Sequence, residues 1–380
     1  MSKINVLLVV SEFYQSGTSR FTYEIDSALN KKEFITSIIS LNPLNNSHQW
    51  IDHYNFKHEE LGTKLYFIQD INKPFTPSLN QRVKRKLFGT QLPNVWKNVV
   101  DFLDQFDVIS VMGEYNYPYI KKYLTDSHRK KLFIHPQNSV YQKADNYSSF
   151  EKALSFNFVS AFTKKDTLFE FKEFEFYKHT YLPLSFKIAN DKPLWRKPKN
   201  KVKKIGLFSR LGRSKPIDSF IYSFQILSNH LPNVELHIFG SGDPEEEGVL
   251  RYVQQLNLQD KIKFRGHQEK MVETALHEKL DLVWLHGYHS LPGGWAGYDI
   301  ASVGIPQVFW DFGGTESDEL NQVFPMTNNV ESMAALSKEL IENDVEAIKL
   351  SNIQFDYTVQ NQEIRNYIVE LENAYKSVVK

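Results

Sequence analysis

The stretch SRLGRSKPID (209–218) places Arg210, Arg213 and Lys215 in a loop leading into an expected helix. Cations beside a helix N-terminus suit a diphosphate, because side-chain charge and helix dipole act on the same anion. Read alone, such a loop is more often a solvated basic turn. A second anion-competent start lies in HSLPGGWAGYDIASVGIPQV (289–308), where Pro292, Gly293 and Gly294 precede a small-residue helical pattern carrying Asp299. Two such starts in one half of the chain strengthen each other. Between them, HIFGSGDPEEE (237–247) ends a strand in Gly-Ser-Gly and opens an acidic helix start, which is first a turn-and-cap pattern. In the first half, FYQSGTSR (13–20) offers Ser16, Gly17 and Thr18 for capping or for a phosphate. FIHPQNS (133–139) sets His135 at a strand end, where polar chemistry and a buried structural histidine are both open.

The elements that must position these residues are apolar runs alternating with helical patterns, the mark of α/β layers with parallel sheets. Strands are expected at 5–10, 34–41, 64–69, 107–113, 131–136, 156–162 and 179–184 in the first half. After a polar, basic stretch they resume at 204–209, 234–240, 261–266, 280–285 and 305–312. Helices are expected at 19–30, 95–106, 218–231 and, as one long amphipathic segment, 361–379. The division is therefore an N-terminal Rossmann-like domain (1–185), a linker (186–203), a C-terminal Rossmann-like domain (204–355) and a terminal helical segment (356–380) that packs on either half. The chemistry-bearing loops all fall at C-terminal ends of strands, where open α/β sheets bind ligands.

Composition removes several classes. Lys plus Arg equals Asp plus Glu, 45 each in 380 residues, which argues against bulk nucleic-acid binding. Zero cysteines exclude disulfides and thiolate metal sites and fit a reducing compartment. The pair His286 and His289 has no carboxylate partner in sequence, so a metal is poorly supported, and no Asp-x-Asp occurs. No GxGxxG follows any strand, so two Rossmann halves do not imply NAD. The apolar run in MSKINVLLVVSEF is too short to span a bilayer and reads as a buried first strand, so a cytoplasmic protein is expected. The segment QRVKRKLFGTQLPNVWK (81–97) interleaves cations with Leu, Phe and Trp. It suits peripheral contact with an anionic membrane, or a helix whose apolar side packs inward.

Taken in order, these motifs resemble retaining glycosyltransferases of the GT-B fold, specifically the large group 1, or family four. SRLGRSKPID is similar to that family's Gly-Arg-Leu…Lys-Gly loop, and VELHIFGSGDP to its strand ending in Gly-x-Gly. KIKFRGHQ is similar to its Val-x-Phe-x-Gly segment, and LPGGWAGYDIASVGIPQV to its Glu-Pro-Phe-Gly-(x)4-Glu-Ala-x-Ala-x-Gly-x-Pro-Val signature. QSGTSR, IHPQN and FVSAFTKKD are looser matches in the first half.

The resemblance implies two Rossmann-like domains facing each other across a cleft, with a nucleotide-sugar substrate, UDP-linked, and no cofactor. It implies a hexosyltransferase-type enzyme, metal-independent and retaining, acting in cell-surface glycan biosynthesis on a glycan, lipid-linked or protein acceptor. By the same match, Arg210 and Lys215 bind the donor diphosphate and stabilise the leaving nucleotide. Gly17, Gly266, Pro292, Gly293 and Gly294 belong to the donor site, Asp299 reads ribose hydroxyls, and His135 lies near the transferred sugar. One position departs. The first signature Glu falls on Leu291, and leucine accepts no hydrogen bond. Asn138, His289 or Glu316 then reads the sugar, or the donor differs, or the chain is a non-catalytic glycosyltransferase-like subunit that binds an acceptor or partner enzyme.

Overall fold

The computed structural model describes residues 2–44, 52–72, 95–137, 144–148, 150, 157–160, 178–212, 215, 217–288, 291–292, 294–311 and 318–379. The chain forms two compact units, Met1–Lys187 with Glu363–Lys380, and Ile188–Gln362.

The first unit is built on a parallel sheet of β1 (Ile4–Val10), β2 (Phe34–Ser40), β3 (Lys64–Phe67), β4 (Val108–Met112), β5 (Leu132–His135), β6 (Asn157–Ser160) and β7 (Lys178–Tyr181). Their spatial order is β3-β2-β1-β4-β5-β6-β7. Val6, Leu7, Leu8 and Val9 have no exposed surface, as a strand covered on both faces requires. Register follows from that burial: Val6 lies opposite Thr36 on one side and Val108 on the other. The terminal helix Ile368–Val379 belongs to this unit, where Tyr375 is fully buried against Phe34 and Phe133.

The second unit repeats the plan with β8 (Lys203–Phe208), β9 (Val234–Phe239), β10 (Ile262–Gly266), β11 (Leu282–Tyr288), β12 (Leu291–Pro292), β13 (Gln307–Asp311) and β14 (Met326–Thr327). The order is β10-β9-β8-β11-β13-β14, with β12 paired to β11 alone. Phe220 and Phe224 of the helix Ile217–His230 pack on Trp284, whose Nε1 donates to Ser337 Oγ at 2.8 Å. Burying each such aromatic contributes roughly 1.5–3 kcal/mol. Every expected strand is present; β12 and β14, two residues each, are additional.

Two boundaries differ from expectation. The basic stretch 186–203 is not a free linker: from Ile188 onward it belongs to the second unit. Leu194 and Trp195 N–H groups both donate to the Val303 carbonyl, at 3.0 and 2.9 Å. Trp195 Nε1 donates to the Leu280 carbonyl at 2.9 Å, and the ring is buried. Lys197 Nζ donates to the carbonyls of Leu340 and Ile341 near the C-terminus of the helix Val330–Glu342, satisfying acceptors that a helix end leaves open. Nor is 356–380 one segment. Residue 356 falls inside the helix Asp344–Gln362 of the second unit, and the chain passes to the first unit at Glu363, where a short 3₁₀ turn, Ile364–Asn366, breaks the expected single helix.

Candidate functional site: the crevice between β8 and β11

In the second unit the strand order reverses between β8 and β11, the place where an open sheet admits a ligand. The ladder between these strands ends at Leu207 opposite Trp284. Side chains alternate along a strand, so two residues further on Ser209 and His286 leave on the same face. His286 Nε2 and Ser209 Oγ lie 2.7 Å apart, and Ser209 Oγ also donates to the Arg210 carbonyl at 3.1 Å. A hydroxyl has one hydrogen, so with that hydrogen on the carbonyl the oxygen accepts from Nε2–H. The His286 ring is buried and meets Phe220 edge-on at 5.1 Å. Burial, with the Lys215 cation adding, pushes this imidazole down to about 3, so it is neutral at neutral pH.

Arg210 is exposed and Lys215 half-buried. Ile217 N–H donates to the Lys215 carbonyl at 2.9 Å, which puts Lys215 against the first turn of Ile217–His230. Both expected diphosphate cations thus stand at the crevice.

The Gly-Ser-Gly after β9 does more than turn the chain. Ser209 N–H donates to the Phe239 carbonyl at 2.9 Å and Leu211 N–H to the Ser241 carbonyl at 2.8 Å, so the two loops lie side by side. A Cβ on Gly240 would fall 1.9 Å from the Ser209 carbonyl oxygen. Gly242 has φ +111, and a Cβ there would fall 2.7 Å from the Leu211 carbonyl oxygen. Only glycine permits this approach. Gly266 was expected at the donor. It ends the edge strand β10, two strands from β8, and its carbonyl accepts from Gly240 N–H at 2.9 Å. It supports the loop after β9.

On the other side of the crevice β12 folds back antiparallel on β11, with Leu291 opposite Tyr288 and Pro292 opposite Gly287. The helix Gly294–Ala301 follows. Gly294 has φ +54, and among the described residues no atom lies within 4 Å of where its Cβ would stand. Gly297, Tyr298, Ile300 and Ala301 are buried, and Asp299 is left half-buried between them. Asn138, His289, Gly293 and Glu316 lie outside the described residues, as does the part 81–94 of the basic segment 81–97.

In the first unit the order reverses between β1 and β4. Ser16 caps the helix Gly17–Ala28, its Oγ accepting from Ser19 N–H at 3.1 Å, so Gly17 is the first helical residue. Tyr115 donates to Thr18 Oγ1 at 2.8 Å. Burial pushes its phenol up to about 12, with the carboxylates of Glu114 and Glu12 adding. Glu114 is fully buried and accepts from Gln137 N–H at 2.8 Å, tying the loop after β5 to the end of β4.

His135 requires a correction. Its ring has no exposed surface, its Nε2 lies 3.2 Å from Ser110 Oγ, and Ser110 in turn lies 2.6 Å from the Tyr375 hydroxyl. Burial pushes the imidazole down to about 3. This is a core histidine joining β4, β5 and the terminal helix, not a group presented to a substrate.

Residues 191–354 match the sequence profile described as Glycosyl transferases group 1. That stretch lies within the second unit and contains every crevice residue described above. Over that stretch the chain is similar to the group 1 glycosyl transferases. The fold extends the likeness over both units. TarM of Staphylococcus aureus is 12% identical with a TM-score of 0.72, the match covering 99% of each chain. HepE of Anabaena, solved with UDP and glucose, is 12% identical with a TM-score of 0.66, covering 98% of this chain and 100% of that one. A glycosyltransferase of Rickettsia africae is 15% identical with a TM-score of 0.68, covering 100% of both. At such identities the likeness is one of fold: two Rossmann-like α/β units of the GT-B type. No curated protein matches the chain in sequence. Among the described residues no helix is long and apolar enough to cross a membrane.

Proposed function

We propose that the chain works as a hexosyltransferase that moves a sugar from a UDP-linked donor to a glycan, lipid-linked or protein acceptor, with retention at the anomeric carbon and no metal ion. The observation that carries this reading is the Ser209–Leu211 loop, held by Gly240 and Gly242 so that Arg210 and Lys215 stand at a switch point beside a helix start. As the anomeric C–O bond breaks, negative charge gathers on the departing diphosphate. Two fixed cations stabilise that charge more in the transition state than in the bound donor. The N-terminus of the helix Gly294–Ala301 suits the phosphate as well, and Asp299 suits a ribose hydroxyl. HepE's complex with UDP and glucose supports the donor class. The lack of cysteine fits a reducing compartment, so the reaction is assigned to the cytoplasm, in the assembly of a cell-surface glycan.

Leu291 favours a second reading. It stands in β12, next to the expected phosphate loop, where the group 1 signature has a glutamate. A chain that holds nucleotide but lacks this carboxylate would serve as a binding subunit. A screen of UDP-, GDP- and ADP-sugars, read by nucleotide release with and without cell-envelope acceptors, separates the two. Release establishes the transferase; binding without release establishes the subunit; neither removes both.

A further inference from the structure

We propose that His286 is a positioning residue for the donor: through Ser209 it fixes the Arg210 loop in the place where the guanidinium meets a nucleotide diphosphate. The inference rests on the glycosyltransferase reading above. The loop is held on its β9 side by backbone hydrogen bonds, Ser209 to Phe239 and Leu211 to Ser241. On its β11 side the ladder has already ended at Leu207 and Trp284, and the Ser209–His286 hydrogen bond spans the crevice in its place. The same hydroxyl grips the Arg210 carbonyl, so the ring orients the residue that bears the cation.

The ring is itself held. Phe220, in the first turn of the helix that Lys215 adjoins, meets it edge-on, and the site is buried. A neutral imidazole donates from Nε2 without adding a second positive charge next to Lys215. The connection links two residues 77 positions apart.

Calorimetric titration with UDP, ADP and GDP tests the proposal on wild type, His286→Phe, His286→Gln, Ser209→Ala, Arg210→Ala and Arg210→Ala with His286→Phe. Phenylalanine keeps the ring contact with Phe220 and loses the hydrogen bond, so affinity should fall about tenfold. Glutamine carries an N–H about as far from the backbone as Nε2 and should restore affinity to within about twofold. In the Arg210→Ala background His286→Phe should change affinity less than about twofold, because the oriented cation is gone. A wild-type affinity in His286→Phe overturns the proposal. So does an equal loss in both backgrounds, which marks a structural role only. Thermal unfolding checks each variant, and Ser209→Ala carries the same comparison if His286→Phe does not fold. A wild-type protein that binds none of the three nucleotides removes the donor reading itself, and this inference with it.

Discussion

Gly240 lies against the backbone of Ser209 so closely that a methyl group in place of its hydrogen would overlap the Ser209 carbonyl oxygen. The contact joins the loop after β9 to the loop after β8, and the second of these carries Arg210. A glycine that looks like turn chemistry therefore supports the loop that carries Arg210.

Gly240→Ala should cost about 1–3 kcal/mol through overpacking and should weaken nucleotide binding, because the displaced loop carries Arg210. Gly212→Ala, where no atom of the described residues lies within 4 Å, is the control and should be near neutral. Urea unfolding and calorimetry on both variants check the pair. Equal behaviour of the two would contradict the packing argument.

Trp195→Ala should destabilise the protein by about 3–5 kcal/mol, the range for removing a buried aromatic, although Trp195 sits in a stretch with the composition of a linker. The loss includes the hydrogen bond from Nε1 to Leu280. Chemical denaturation checks it; a change near zero would return 186–203 to linker status.

Acid should weaken the fold well above the carboxylate range. The His135 and His286 imidazoles are both pushed down to about 3 in the folded state by burial, with the Lys215 cation adding at His286. An unfolded histidine titrates near ~6.5. Above that value neither state binds the proton and the full stability is present. Between the two values only the unfolded chain does, so stability falls as pH falls, by up to about 1.4 kcal/mol per pH unit for each histidine. His135→Gln should remove one proton's worth of that slope between pH 6 and pH 4, measured by urea unfolding. An unchanged slope would show that His135 does not carry it.

Much of this was legible in the residues. Buried parallel strands announce themselves as apolar runs between turn residues, and each expected strand is found. The cationic loop bearing Arg210 and Lys215 was legible as a turn between a strand and a helix, and it lies between β8 and the helix Ile217–His230. The Ser209–His286 bond was not, because it depends on the register of β8 against β11, which no local pattern encodes. His135 was misplaced for a related reason. With both sheet faces covered, alternation does not say which face a strand-end residue takes. The linker was misjudged because basic, proline-bearing composition is shared by solvated tails and by straps whose lysines cap helix ends, as Lys197 does.

The central claim is that the cations of the β8 loop hold a nucleotide diphosphate and stabilise its departure. Nucleotide release from UDP-sugars by the Arg210→Ala, Lys215→Ala double variant, compared with wild type, tests it most directly. Arg210 is exposed and Lys215 half-buried, so the variant should fold normally. Its turnover should fall at least ~10²–10³-fold, as when a fixed electrostatic stabiliser is removed. A folded double variant that releases nucleotide at the wild-type rate would contradict the account.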